Sequence, residues 1–144
     1  MILKEETKKF SLEVVNWLTS KSEWKLEGGQ NPCKLSKKLA IVESWFDIPT
    51  IKIFRILRKD ETIGFVKIDF ADRIYFHLYV IKEKRKKGFG YFVVKQIFKK
   101  YESDERKVAT LVKPRTKNFK LLKDSMLMNP TKEKIQGYTI FERI

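Results

Sequence analysis

Cysteine and histidine are almost missing from this chain. A single Cys33 among 144 residues rules out an intramolecular disulfide and a cysteine-cluster zinc site, and a single His77 leaves imidazole-based metal binding short of ligands. No metal is expected. This usage fits a reducing compartment, so the expected location is cytoplasmic. No apolar run approaches the roughly 20 residues that span a bilayer, so no membrane contact is expected. The opening MILKEETKKF carries acids where a secretory signal has a basic-then-apolar pattern. Glycine and proline are sparse as well, 6 and 4, and no linker, repeat or low-complexity segment marks a domain boundary.

Apolar and basic residues are abundant. With 42% hydrophobic and 13% aromatic residues over 144 positions, the chain can bury one core, which predicts a single domain over 1–144. Lys and Arg number 32 against 18 Asp and Glu, so the formal net charge is 32 − 18 = +14. Such a field favours anionic partners. Three readings of it stay open: nucleic-acid binding, a phosphate-rich small ligand, or lysine-rich codon usage with no partner behind it.

Hydrophobic spacing sets out the elements. Phe10, Val14, Trp17 and Leu18 share one face of a helix over 5–19, EGGQNPC breaks regular structure, and Leu39, Val42 and Phe46 mark a second helix from Ser36 that stops near Asp47–Pro49. TIKIFRIL at 50–57 and TIGFVKIDF at 62–70 alternate as an antiparallel hairpin. A strand over 73–81 carries apolar or aromatic groups on both faces, which predicts a central strand covered on both sides. Val93, Val94, Ile97, Phe98 and Tyr101 then recur at helical spacing, followed by a short strand at 107–114, a helix over 116–128 and a closing strand at 137–144. The three tryptophans, Trp17, Trp24 and Trp45, and the lone Cys33 read as core and structural residues.

The segment KEKRKKGFG, between the two-sided strand and the amphipathic helix, is the most informative one. The first amides of a helix lack intrahelical partners and carry partial positive charge, so a strand, a glycine loop and a helix in succession form a cradle for phosphate. The dinucleotide fingerprint needs a third glycine where Val93 stands, and no Gly-Lys-Ser/Thr occurs for a Walker loop. What remains, Arg85-Lys86-Lys87-Gly88-Phe89-Gly90, resembles the R/Q-x-x-G-x-G/A motif of the GNAT N-acyltransferase superfamily. HLYVIKEKRKKGFGYFVVKQIFKKY is similar to that family's strand, loop and helix, with Arg85 five residues after Val80; VATLV and Asn118 look like its next strand and helix start.

The resemblance implies an α+β fold: a mixed, mostly antiparallel central sheet flanked by helices and splayed at the cofactor strand. It implies an acceptor side over 1–48, a sheet with the cofactor strand, loop and helix over 50–112, and a C-terminal helix and strand over 113–144. The cofactor implied is acetyl-coenzyme A, with the backbone around Leu78, Tyr79 and Val80 on pantetheine. Amides of Lys86, Lys87, Gly88, Phe89, Gly90 and Tyr91, helped by Arg85, would hold the pyrophosphate, and Asn118 would reach in from the next helix.

The chemistry is less well marked. The family's proton-donating Tyr corresponds to Ser125, with Tyr138 as a substitute donor. The usual base positions match the apolar Ile74 and Phe76. Asp69 is a candidate base acting through water. His77 has the right intrinsic acidity but points to the opposite face from Ile74 and Phe76. Lys113, Arg115, Lys117, Lys120 and Lys123 run without an intervening acid; they would reach the cofactor's 3′-phosphate, bind an acidic acceptor, or stand in solvent. The activity implied is transfer of acetyl to a primary amine by direct attack in a ternary complex. The acceptor is open, with charged tRNA or an acidic protein favoured by the charge, and the chain would act as a monomer or homodimer. The competing reading is a catalytically lapsed module of the same fold that binds nucleic acid or an acidic protein.

Overall fold

The computed structural model describes residues 1–144. Seven strands form one sheet: β1 (Ile2–Glu5), β2 (Ile51–Arg58), β3 (Glu61–Phe70), β4 (Ile74–Val80), β5 (Val108–Val112), β6 (Met128–Ile135) and β7 (Tyr138–Arg143). Their spatial order is β1-β2-β3-β4-β5-β7-β6. Every pairing is antiparallel except β4 with β5. Helices α1 (Ser11–Trp17), α2 (Lys21–Leu26) and α3 (Leu35–Trp45) precede β2, α4 (Phe89–Lys100) follows β4, and α5 (Lys117–Asp124) follows β5.

Two cores lie on the two faces of the sheet. Phe10, Val14, Val15, Leu18, Trp24, Val42 and Trp45 of the N-terminal helical layer pack on Ile53, Phe65 and Tyr79. Val93, Val94, Ile97 and Phe98 of α4 pack on Ile74, Phe76, Val66 and Ile68 of the other face. Burying each of those four α4 side chains contributes about 1.5–3 kcal/mol, which fixes α4 on the sheet and with it the position of its first turn. The expected two-sided strand is β4.

Four elements differ from expectation. Residues 5–19 do not form one helix: Ile2–Glu5 pairs with β2 as an edge strand, a 3₁₀ turn covers Lys8–Phe10, and α1 starts at Ser11. A further helix, α2, fills 21–26, started by Ser20 Oγ accepting from the Glu23 amide at 3.2 Å. The helix expected over 116–128 ends at Asp124; Met126 adopts a left-handed conformation (φ 61) and Met128 is already in β6. β6 carries Pro130, tolerated because the strand is on the sheet's edge and its pairing is irregular between Pro130 and Lys134.

One backbone approach is tight. Ile56 pairs with Gly64 and Leu57 with Thr62, so Ile63 is an extra residue bulged from β3. A Cβ on Gly64 would sit 1.9 Å from the Tyr79 carbonyl oxygen. Gly64→Ala is therefore expected to lower stability by about 2–3 kcal/mol in urea unfolding; a variant as stable as the parent would contradict this packing.

Candidate functional site

β4 and β5 run side by side for two register pairs only, Ile74 with Val108 and Tyr75 with Ala109, and the Thr110 hydroxyl donates to the Phe76 carbonyl at 2.8 Å. Beyond that point β4 continues to Val80 with no partner on this side. Backbone direction alternates along a strand. The Ile74 amide donates toward β5, to Lys107 O at 2.8 Å, and the Ile81 amide donates toward β3, to Ile63 O at 2.9 Å. The even residues of β4 therefore face the gap. The backbone of Leu78 and the Val80 amide open into the wedge, while the Val80 carbonyl accepts from Arg85 Nε at 2.9 Å. Tyr79, expected alongside them, turns its backbone to β3 instead: its carbonyl is the group that crowds Gly64.

The loop after β4 supplies the second half of the site. Lys86 (φ 62) and Gly88 (φ 79) are both left-handed, and Gly88 caps α4 with no side-chain hydrogen bond. The first turn of α4 contains no acid, so its free amides and dipole are not neutralised. Lys86 and Lys87 are exposed. A Cβ on Gly90 would meet only Leu78 Cδ2, at 3.6 Å, which sets the first turn of α4 beside the open end of β4. Phe89 is half-buried against the α4-side core and Tyr91 is exposed.

Arg85 is committed elsewhere. Its guanidinium donates to both oxygens of the buried Glu23 on α2, at 3.1 Å from Nη1 and through a shorter contact from Nη2, and lies 5.3 Å from the Tyr79 ring centre. The Tyr79 hydroxyl donates to the same carboxylate at 2.6 Å. The Arg85 hydrogen bond holds the Glu23 carboxyl below its ordinary range, with Tyr79 helping and burial opposing; burial and Glu23 push the Tyr79 phenol well up. The motif arginine thus ties the loop to the N-terminal helical layer, leaving the backbone amides and the exposed Lys82, Lys86 and Lys87 as the free positive groups of the loop.

The remaining expected residues lie in separate places. Asn118 is exposed at the second position of α5, in the connection leaving β5. Ser125 caps the end of α5, its hydroxyl donating to Leu122 O at 2.6 Å and accepting from the Leu127 amide at 3.3 Å. Tyr138 opens β7, is 43% exposed and pairs with Ile135. Asp69 stands near the end of β3 between Ile51 and Tyr75.

Two residues absent from the sequence-based site share the helical-layer face with Asp69. Lys67 lies opposite His77 in register, with Nζ 3.9 Å from the Trp45 ring centre. Burial lowers the pKa of its ammonium, and the carboxylates of Glu27 and Asp69 oppose that shift. The other is Glu27, whose Oε2 is 2.6 Å from His77 Nε2 and whose side chain is 1% exposed. Glu23 and Glu27 are one helical turn apart, a signal that shows only once α2 is recognised as a helix.

A parted pair of central strands beside a glycine-started helix marks the fold. The chain has the GNAT fold. It superposes on an acetyltransferase from Thermus thermophilus with TM-score 0.75 at 15% identity, covering 99% of this chain and 95% of that one. It also superposes on an aminoglycoside acetyltransferase in complex with coenzyme A (TM-score 0.74, 13% identity, 97% and 91% covered). The PaiA N-acetyltransferase of Thermoplasma acidophilum, in complex with coenzyme A, gives TM-score 0.65 at 12% identity with 99% of each chain covered. No protein-family profile matches the sequence, and neither does any curated protein.

No helix is long and apolar enough to cross a membrane.

Proposed function

We propose that this chain is an acetyltransferase that moves acetyl from acetyl-coenzyme A to a primary amine by direct attack in a ternary complex. The observation that carries the reading is the wedge: β4 parts from β5 after Tyr75, so the backbone of Leu78 and the Val80 amide open toward a gap flanked by the uncapped start of α4. When bound, acetyl-coenzyme A supplies an activated thioester carbonyl. The residues present fit such a group. Leu78 and Val80 offer strand-like hydrogen bonds to an amide-containing arm and a donor to a developing oxyanion. The amides from Lys86 to Tyr91, with the Lys86 and Lys87 ammonium groups, offer a pyrophosphate cradle in which Gly90 places no side chain.

Arg85 acts here by holding the loop against Glu23. Asn118 is assigned to the far side of the cofactor from α5. Among the donor candidates, Tyr138 suits better than Ser125, whose hydroxyl is engaged by its own helix end. The acceptor side is assigned to 1–48, and the site of action to the cytoplasm.

Thermal unfolding with and without acetyl-coenzyme A tests the reading. A ligand at one hundred times its dissociation constant adds about 2.7 kcal/mol of stability, so a clear rise in Tm is expected. No rise at any cofactor concentration would sink it. The second reading, a lapsed module binding nucleic acid or an acidic protein, draws on Lys113, Arg115, Lys117, Lys120 and Lys123, all exposed around the start of α5. A rise in Tm with RNA that fades with salt, in a chain indifferent to the cofactor, would favour it.

A further inference from the structure

The parting of β4 from β5 is closed off by a side chain. In a parallel ladder, a residue that faces the neighbouring strand donates to one of its carbonyls and accepts from the amide two residues further along. Ile74 stands opposite Val108 and its amide donates to Lys107 O at 2.8 Å, so its carbonyl is set to take the Ala109 amide. Continuing the ladder, Phe76 would accept from the Leu111 amide, and Leu78 would donate to the Leu111 carbonyl. The register ends instead at Tyr75 with Ala109. What the Phe76 carbonyl accepts is the buried Thr110 hydroxyl, at 2.8 Å.

Thr110 does this while keeping its own place in the sheet, opposite Phe141 of β7. A β-branched side chain is stiff at χ1, so the hydroxyl is held on the Phe76 carbonyl. A buried carbonyl without a donor costs free energy. The hydroxyl removes that cost at the point of parting, and the next backbone rung is no longer needed to satisfy Phe76. By strand alternation the Leu111 amide faces the gap, across from the backbone of Leu78, and the pairing with β4 stops short of it.

We propose that Thr110 is the positioning residue that sets the depth of the wedge. Its hydroxyl takes the Phe76 carbonyl out of the ladder, stops the pairing of β4 with β5 after Tyr75, and so keeps the Leu78 backbone free for the amide-containing arm of acetyl-coenzyme A. The ligand in this statement rests on the acetyltransferase reading; the stop in the ladder does not. Without the hydroxyl, the Leu111 amide is the nearest backbone donor in register with the Phe76 carbonyl. Once that rung forms, the following one claims the Leu78 amide, and the wedge loses a group that the cofactor would bind. Thr110 acts through the backbone of β4 and touches no reacting atom.

Two measurements on the full-length protein test this, with Thr110→Val as the isosteric variant lacking the hydroxyl and Thr110→Ser as the conservative one that keeps it. The first is hydrogen exchange of the Leu111 amide in the unliganded, ¹⁵N-labelled protein. Exchange at Leu111 is expected to slow by about tenfold in Thr110→Val, as the new rung protects it, and to stay at the parent rate in Thr110→Ser. The second is calorimetric titration with acetyl-coenzyme A, where Thr110→Val is expected to bind about tenfold more weakly and Thr110→Ser to bind as the parent does. Thr110→Ala, which removes the hydroxyl without refilling its space, carries both measurements if Thr110→Val does not fold. Unchanged Leu111 exchange in the variant lacking the hydroxyl, parent-like affinity in that variant, or equal loss of affinity in Thr110→Ser would overturn the proposal. Where acetyl-coenzyme A still raises the Tm of the parent, that failure leaves the transferase reading standing. Slowed Leu111 exchange in Thr110→Val, in a protein whose parent form is indifferent to acetyl-coenzyme A, would uphold Thr110 as the stop in the ladder and sink the transferase reading instead.

Discussion

Glu23→Gln is expected to lower stability by about 3 kcal/mol near neutral pH, the lower end for breaking a buried ion pair because the Arg85 side chain keeps 31% exposure. The Glu23 carboxylate receives Arg85 twice and the Tyr79 hydroxyl once, and Arg85 in turn holds the Val80 carbonyl. Glutamine has no charge for Arg85 and only one accepting oxygen for three donors. The loss has a sign in pH. The folded carboxyl is held below its ordinary value of 4.5, chiefly by the Arg85 hydrogen bond. A depressed carboxyl contributes stability that is present above its unfolded pKa and is lost as pH falls through the folded one. The gap between the parent and Glu23→Gln in urea unfolding is therefore widest near neutrality and narrows as pH falls below the ordinary carboxyl value and through the lower folded one. A gap that stays constant with pH would show that the ion pair is not its source. Tyr79→Phe removes one hydrogen bond from the same group and is expected to cost about 1 kcal/mol.

The same network explains why spacing alone reads the motif arginine incompletely. Sequence spacing gives Arg85 a place beside the glycines, and in the fold it keeps that place; what spacing does not contain is the partner that takes its charge. Glu23 lies 62 positions earlier in a helix only six residues long. With so few residues and Gly28–Gly29 just after, α2 has no repeat long enough for its apolar face to announce itself. Glu27 escapes notice for the same reason, and with it the partner of His77. Strand alternation places the histidine correctly on the face opposite Ile74 and Phe76, and it is the packing of α2 onto that face that gives it a carboxylate.

The elements that are legible share one property: their hydrophobic pattern is answered by a whole sheet face. β2, β3, β4, α4 and β5 each bury side chains in one or both cores, so periodicity and tertiary packing agree. The edge strands are not legible. β1 is four residues long and mostly exposed, and β6 reads MNPTKEKI with exposed charges along its length. Both are defined by pairing with a neighbour already in place, Ile2–Glu5 on β2 and Met128–Ile135 on β7. The wedge between β4 and β5 belongs to the same class of feature, since strand parting is a relation between segments roughly 30 residues apart and has no local signature beyond the resemblance that suggests it.

Gly90→Asp separates the fold from the proposed function of the loop most cleanly. A Cβ at this position meets nothing nearer than Leu78 Cδ2 at 3.6 Å, and the backbone there needs no left-handed conformation. The first turn of α4 has no acid, so a carboxylate added there is favoured by the helix dipole by about 0.3–1 kcal/mol. The unliganded protein is thus expected to unfold at the same temperature or slightly higher. In the cradle, the same carboxylate fills the approach to the free amides and repels a pyrophosphate through a short, partly desolvated distance. Affinity for acetyl-coenzyme A is expected to fall at least about 100-fold, equivalent to about 2.7 kcal/mol, so the cofactor-induced rise in Tm disappears while the intrinsic Tm is kept. Gly88→Ala gives the opposite pair of results. Its left-handed φ of 79 makes a side chain strain the backbone, at about 1 kcal/mol, yet its Cβ faces open space, so Tm falls and the affinity largely remains. If Gly90→Asp bound acetyl-coenzyme A as tightly as the parent does, the anion would have to lie somewhere other than the start of α4.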